Sequence, residues 1–333
     1  MKGKKIITIV EIMLITVWIS HVVLGQKVYL PLVQKPFDPA NATAGDLYTT
    51  DSIVGRLRYV PAGTFIQGTP MSEAGRNSDE TQFTHTLTKN LAVMETEVTR
   101  QMWADLKAAP GSTLPEDPSY TGYGAGMRNS VQNVDWSVTL LFANLLSLQQ
   151  GLRPAYWADA AFTVPVDATN YTWTYLYCDW GVTGYRLPSE GEWEYFARAG
   201  TTGPFSVVEP AYNDYTKNSC DGSVLPALAG VAWYCANWGG VMHEAGAKSA
   251  NPWNLKDVHG NMFEWVWDSY APYPTGSVVD YRGVGPGAKW PRGGSWAYGP
   301  ALMRSGERRD TCEGGWCGLY SYAVGFRLVR SVN

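Results

Sequence analysis

Glycine and proline recur so often that no long helix can run through this chain: 35 Gly and 20 Pro are spread over 333 residues. Glycine is entropically costly inside helices and strands, and proline removes a backbone donor and clashes with the preceding turn. Such a chain folds from short elements joined by long loops. Loops without regular structure need tethers, and 15 Trp and 20 Tyr are available to supply them. That much aromatic surface also separates the chain from disordered polypeptides. Charged residues are only 17%, the net charge is −4, and Lys and Arg are scattered. No basic stripe tracks a phosphate backbone, so nucleic acid is not an expected partner.

The first 25 residues read as a targeting segment. Lys2, Lys4 and Lys5 precede an apolar run at 12–24, and Val23 and Gly25 are the small residues expected before a cut that leaves Gln26 first. Glu11 interrupts the apolar stretch 6–24, and an uncleaved N-terminal anchor is the rival reading, the one case in which a membrane becomes a partner. No later run approaches 18 apolar residues. The expected location is therefore secreted or in the cell envelope.

The five cysteines, Cys178, Cys220, Cys235, Cys312 and Cys317, agree with an oxidising compartment. Two pairs and one leftover is the simplest arithmetic. Cys220 with Cys235 and Cys312 with Cys317 are the local choices, leaving Cys178, and other pairings stay open. Beyond the targeting segment His85, His243 and His259 are too scattered for a histidine-based zinc or iron site.

Residues 26–55 read as a linker with one short strand, and from Arg56 onward no composition break or repeat appears, giving one domain over 56–331. Residues 58–68 read as two short strands joined by a Pro/Gly turn. Three helices are expected. One spans 100–108 behind Thr99, and one spans 137–150 with apolar positions at 138, 141, 142, 145, 146 and 148. The third opens on a capping box from Ser189 to Glu192 and ends at Gly200.

Seven segments, in order, carry a resemblance: YVPAGTFIQG (59–68), METEVTRQMW (94–103), VQNVDWSVTLLFANLLS (131–147), GYRLPSEGEWEYFARAG (184–200), NLKDVHGNMFEWVWD (254–268), RGGSW (292–296) and GFRLVRS (325–331). Together they resemble the formylglycine-generating, sulfatase-modifying-factor family. The resemblance implies a variant of the C-type-lectin-like fold: a single α+β, irregular, loop-rich domain with few short helices and short antiparallel strands.

Activity is a separate matter. Relatives that oxidise a substrate cysteine to formylglycine are expected to bind Cu(I) through two Cys in the pattern R-G-G-S-x-x-C-x4-C. Here Arg292-Gly-Gly-Ser295 is intact, but the two Cys positions fall on Tyr298 and Met303. A phenol and a thioether cannot replace two soft thiolates, so copper is not expected and the reading leans away from an enzyme. Cys312 and Cys317 repeat the spacing 14 residues further on, where a loop-pinning disulfide outweighs a displaced copper pair. The iron-holding helical domain of the related sulfoxide synthases is missing. Ser295 and Asp268 read as turn residues rather than as a nucleophile and its partner.

A structural calcium site is what the resemblance implies most directly. The family pattern Asn/Asp-x-x-Gly-Asn-x-x-Glu is matched by residues 257–264: Asp257 and Glu264 would give carboxylates, Gly260 and Met262 carbonyls. The competing reading makes Asp257 and Glu264 acceptors in turns. A second calcium loop would follow 233–237, but no matching Asp lies downstream. Among the clustered aromatics Trp253, Trp265, Trp267, Trp290, Trp296, Tyr270, Tyr273 and Tyr298, the pair Trp265 and Trp267 reads as core. Trp296, Tyr298, Trp316, Tyr320 and Tyr322 read as a ligand-binding set on the C-terminal loop face. In some relatives the segment matching 297–323 is a region diversified by retroelements. The expectation is an exported, non-catalytic member that binds a protein, peptide or glycan at the cell exterior. The alternative is a protein-modifying oxidase of the formylglycine-generating type.

Overall fold

Helix starts in this chain are set by small polar residues whose side chains satisfy backbone donors that the helix cannot pair. In the computed structural model Thr99 accepts from Met102 N to open α1 (Arg100–Ala108), and Ser189 accepts from Glu192 N to open α3 (Glu190–Arg198). At Ser189 both halves of the capping box are present, Glu192 returning to the Ser189 N–H at 2.8 Å. Ala199 then adopts a left-handed φ of 47° and Gly200 follows at 85°, which stops the helix. Between them α2 (Trp136–Gln149) is buried on nearly every side from Thr139 to Ser147, a helix through the core rather than on its surface. A fourth, one-and-a-half-turn helix, α4 (Pro226–Val231), was not legible in the sequence. The described residues are 37–172, 175–208, 220, 224–283, 287–308 and 321–332.

Strands are short. In chain order they are β1 (Leu47–Asp51), β2 (Gly55–Val60), β3 (Gly63–Gln67), β4 (Phe83–Leu87), β5 (Asn90–Met94), β6 (Tyr156–Trp157), β7 (Tyr177–Cys178), β8 (Phe263–Glu264), β9 (Ser277–Val279), β10 (Val324–Gly325) and β11 (Val329–Val332). The largest sheet is antiparallel with order β1-β2-β5-β11, so the last strand closes on strands near the beginning. β3, β4 and β9 form a second sheet. The two strands read at 58–68 exist, but the Pro61-Ala62 link separates them into different sheets instead of a hairpin. The compact unit begins at Phe37, and β1 pairs with β2, so this body takes in part of the stretch read as linker.

The sheet is covered on both faces because alternate side chains point opposite ways. Leu57, Ala92, Met94 and Val332 face the cluster built on α1 and α2, including Trp103, Phe142 and Leu146. Val60, Leu91, Val93 and Val329 face Trp193, Phe196 and Ala197 of α3 with Leu255, Val258 and Val266. Trp265 lies in the first cluster at 9% exposed, and half-buried Trp267 packs against it, stacking on Tyr156 at 5.3 Å. The resulting architecture is the α+β, loop-rich domain that the motifs implied.

Arginine–glutamate pairs tie the loops to α3. Arg186 meets Glu192 at 2.6 and 2.8 Å, Arg292 bridges Glu190 at 3.0 Å and Glu194 at 2.9 Å, and Arg308 reaches Glu190 at 2.9 Å. Arg304 does the same for Glu73, Glu80 and Glu307. All of these arginines are 2% exposed or less, and such pairs hold only because each guanidinium is matched by carboxylates and carbonyls.

Candidate functional site

The segment Arg292-Gly-Gly-Ser295 bends sharply. Gly293 and Gly294 have φ of 92° and 74°, and a Cβ on Gly294 would stand 2.4 Å from the Met303 sulfur. The bend brings Tyr298 and Met303 into one apolar cluster with Phe205, Leu225, Leu228 and Tyr234. Met303 is fully buried, and Tyr298 packs edge-on against Phe263 at 5.5 Å. Cys220 and Cys235 are joined in a disulfide, and Cys235 N donates to Tyr298 O at 3.1 Å, so the bridge pins this cluster. Among the described residues Cys178 is a free, buried thiol that burial pushes up to about 12. Cys312 and Cys317 lie outside the described residues.

One serine–histidine contact lies beside the cluster. His259 Nδ1 donates to Met303 O at 2.8 Å, which leaves Nε2 as acceptor for Ser206 Oγ at 3.0 Å and Ser206 N at 2.9 Å. The spacing suits a nucleophile and base. The surroundings do not: the lone pair on Nε2 is shared with a backbone N–H, Ser206 is 5% and His259 0% exposed, and burial pushes the imidazole down to about 4. The contact is a structural tether. Asp268, read from the sequence as a turn residue, is buried between Glu190 N at 2.7 Å and Gly283 N at 2.5 Å.

Next to the disulfide lies an aromatic face. Trp296 is its floor at 3% exposed, so the exposure expected for it is not found. Trp238 covers it at 4.7 Å, Tyr123 at 5.0 Å, and Tyr322 lies nearly parallel to it at 6.0 Å. Tyr120, 54% exposed, forms the outer edge against Tyr123 and Tyr322. The Trp296 indole N–H is buried without a partner. Of the expected set, Trp296 and Tyr322 come together, Tyr298 belongs to the neighbouring cluster, and Trp316 and Tyr320 lie outside the described residues. Tyr120, Tyr123 and Trp238 were missed. Their signal was Tyr120-Thr-Gly-Tyr123-Gly and Trp238-Gly-Gly, aromatics on loops able to turn tightly.

The implied calcium loop is tightly wound: Asn254, Asp257, Gly260 and Asn261 all have positive φ. A Cβ on Gly260 would meet Trp233 O at 2.2 Å, so only glycine fits there. Glu264 gives both oxygens to Arg327, at 2.5 and 2.7 Å, and one also accepts from Trp193 Nε1 at 2.8 Å. Asp257 accepts from Gly246 N, and beyond the neighbouring Glu97 carboxyl its buried Oδ1 has no partner. Glu97, which the motif did not point to, turns Oε2 to no group other than that carboxyl, and Asn261 Oδ1 is unpartnered. Burial, with Asp257 and Glu264 nearby, raises Glu97 well above the usual carboxylate range, and burial raises Asp257. Three carboxylates against Arg327 alone would leave two uncompensated buried charges. Orphaned hard oxygens with that charge suit a divalent cation. No three His, Cys, Asp or Glu side chains converge in ligand geometry among the described residues, so carbonyls would have to complete the set.

Residues 49–332 match the family described as the sulfatase-modifying factor enzyme 1-like domain. The chain belongs to this family. This sulfatase-modifying-factor-like chain is 28% identical to the formylglycine-generating enzyme of Streptomyces coelicolor over 295 residues, covering 79% of this chain and 85% of that one. It is also 28% identical to the chaperone protein LppX of Paenibacillus barcinonensis over 192 residues, 52% of this chain, and spans only 60% of LppX. Among solved structures, Treponema denticola variable protein 1 superposes with a TM-score of 0.66 at 28% identity, covering 86% of this chain and 99% of that one.

Proposed function

We propose that this chain is an exported, non-catalytic member of the sulfatase-modifying-factor family that binds a protein, peptide or glycan ligand on the aromatic face around Trp296. One observation carries the reading: Tyr298 and Met303, which stand at the positions of the oxidases' cysteine pair, pack into one apolar cluster, Met303 fully buried and Tyr298 half-buried against Phe263. A thioether with no solvent access and a phenol packed on Phe263 do not form a bis-thiolate copper site, and no oxidation step is routed through them. The adjacent rings offer large apolar area at low entropic cost, with Tyr120 and Tyr322 at the edge and a spare indole donor beneath. The likeness to a variable protein supports a display role, with 297–323 as the segment that varies. A structural Ca²⁺ would be held by Asp257 and Glu97 with the Gly260 and Met262 carbonyls, Glu264 standing behind them as the anchor of Arg327.

The test has two arms. Copper-treated protein mixed with a cysteine peptide should consume no O₂ above background, and sustained turnover would restore the oxidase reading. Glycan and peptide arrays should yield ligands whose binding falls at least tenfold in Tyr120→Ala and Trp238→Ala. Ligands indifferent to both substitutions would move the site elsewhere.

A further inference from the structure

Arg330 is a charged side chain on the wrong side of a sheet. On β11 it pairs with Ala92 of β5, which pairs in turn with Tyr59 of β2. Side chains in one such row share a face, and Ala92 and Tyr59 belong to the α2-side core. On this side of the sheet, however, between β11 and β1 at the opposite edge, the core gives way to a space of about 700 Å³ that is largely open to solvent. Ala92 is too small to fill the row, and the guanidinium enters the space beside the Tyr185 ring, 5.7 Å from its centroid. Tyr185 is its hydrogen-bonding neighbour. Arg330 makes no ion pair among the described residues, and its Nε is buried without a partner. Arg186, Arg292, Arg304, Arg308 and Arg327 are all matched by carboxylates, whereas Arg330, like Arg282 over the Trp180 ring, has no carboxylate partner among the described residues.

We infer that this cavity is a second binding site, separate from the Trp296 face, for a monoanionic, polyhydroxylated ligand of the sugar-acid class. The cavity lies within the size range of small-molecule sites. A single planar guanidinium matches one carboxylate through paired hydrogen bonds. Asp51 also lines the space and spends Oδ1 on the N–H groups of Ile53 and Val54. Its charge disfavours a dianion such as phosphate, for which one arginine would be too few. Thr49, Thr50, Ser52 and Gln150 line the space, and hydroxyl and amide groups of this kind, one threonine of the β1 pair facing it by strand alternation, both donate and accept, which suits ligand hydroxyls. Phe37 and Tyr48, packed edge-on at 4.8 Å, add apolar surface for the C–H face of a sugar ring.

The probes are D-glucuronate, D-glucose and inorganic phosphate, titrated calorimetrically into the full chain. Glucuronate should bind saturably and at least tenfold more tightly than glucose or phosphate. Arg330→Ala should reduce glucuronate to the level of glucose, with Tm lowered only by the loss of the Tyr185 contact and the fold retained, and Tyr120→Ala should leave glucuronate binding intact. The inference is overturned if glucuronate does not bind, if phosphate binds as well, or if Arg330→Ala binds like the parent. Failure of the Trp296-face reading would show instead in the array experiment, which Arg330→Ala should not affect.

Discussion

At the scale of single residues, burial decides which protonation state each group keeps, and two pH dependences follow. His259 is held neutral, down to about 4, because burial disfavours the imidazolium more than the Met303 carbonyl, to which Nδ1 donates, favours it. The unfolded chain takes up this proton first, so the stabilisation is complete above pH 6.5 and is lost as pH falls toward 4, about 3 kcal/mol in all. Urea unfolding at pH 7 and pH 4.5 should show this loss, and His259→Gln should flatten the slope. The carboxylates Glu97 and Asp257 run the other way. Their folded values are raised, so without a cation stability is present at low pH and falls as pH rises through the folded values. Calcium should reverse this: the rise in Tm between chelator and Ca²⁺ should be larger at pH 8 than at pH 5. Glu97→Gln should stabilise the chelated protein and shrink the Ca²⁺ response; an unchanged response would remove Glu97 from the site.

At the scale of elements, α3 is the hub, because its first turns point Glu190, Glu192 and Glu194 at arginines from three later or earlier segments. Ser189→Ala removes the cap and should cost about 1–2 kcal/mol by denaturant midpoint. Glu194→Gln should cost about 3–5 kcal/mol, since it weakens the pairing of both Arg198 and Arg292 in a dry interior. The cap was legible because Ser-x-x-Glu acts over three residues. The ion pairs were not, because Arg292 meets Glu190 across 102 positions and Arg308 meets it across 118. The same limit explains β2 and β3: residues 58–68 show two strands and a turn, but their separation into two sheets depends on β5, 31 to 37 residues from its partners in β2, and on β4 for β3.

At the scale of the whole molecule, little regular structure is held by a few long-range ties. The Cys220–Cys235 bridge closes a separation of 15 residues beside the aromatic face, and Cys220→Ser with Cys235→Ser should cost about 3 kcal/mol. Thiol titration of the native protein should leave Cys178 unreactive until the chain unfolds, because burial holds its thiol protonated. The closure of β11 onto β5 joins the two ends of the domain, and it is this closure that places Arg330 over its cavity. The calcium arm belongs to this scale as well, since Glu97, Asp257 and Arg327 come from widely separated segments.

The sequence by itself determined what acts locally or through ordered motifs. It set the helix caps at Thr99 and Ser189, the α+β looseness imposed by glycine and proline, the family order of segments, and the placing of Tyr298 and Met303 where the resemblance leads one to expect a cysteine pair. Only the tertiary structure decided that Trp296 is a floor and not an exposed ring, that Tyr120, Tyr123 and Trp238 build the face above it, and that Glu97 stands beside Asp257 while Glu264 serves Arg327. The reason is physical. A cap or a tight turn is fixed by atoms a few bonds away, whereas burial and the pairing of charges depend on which distant segments the closed chain brings against each other.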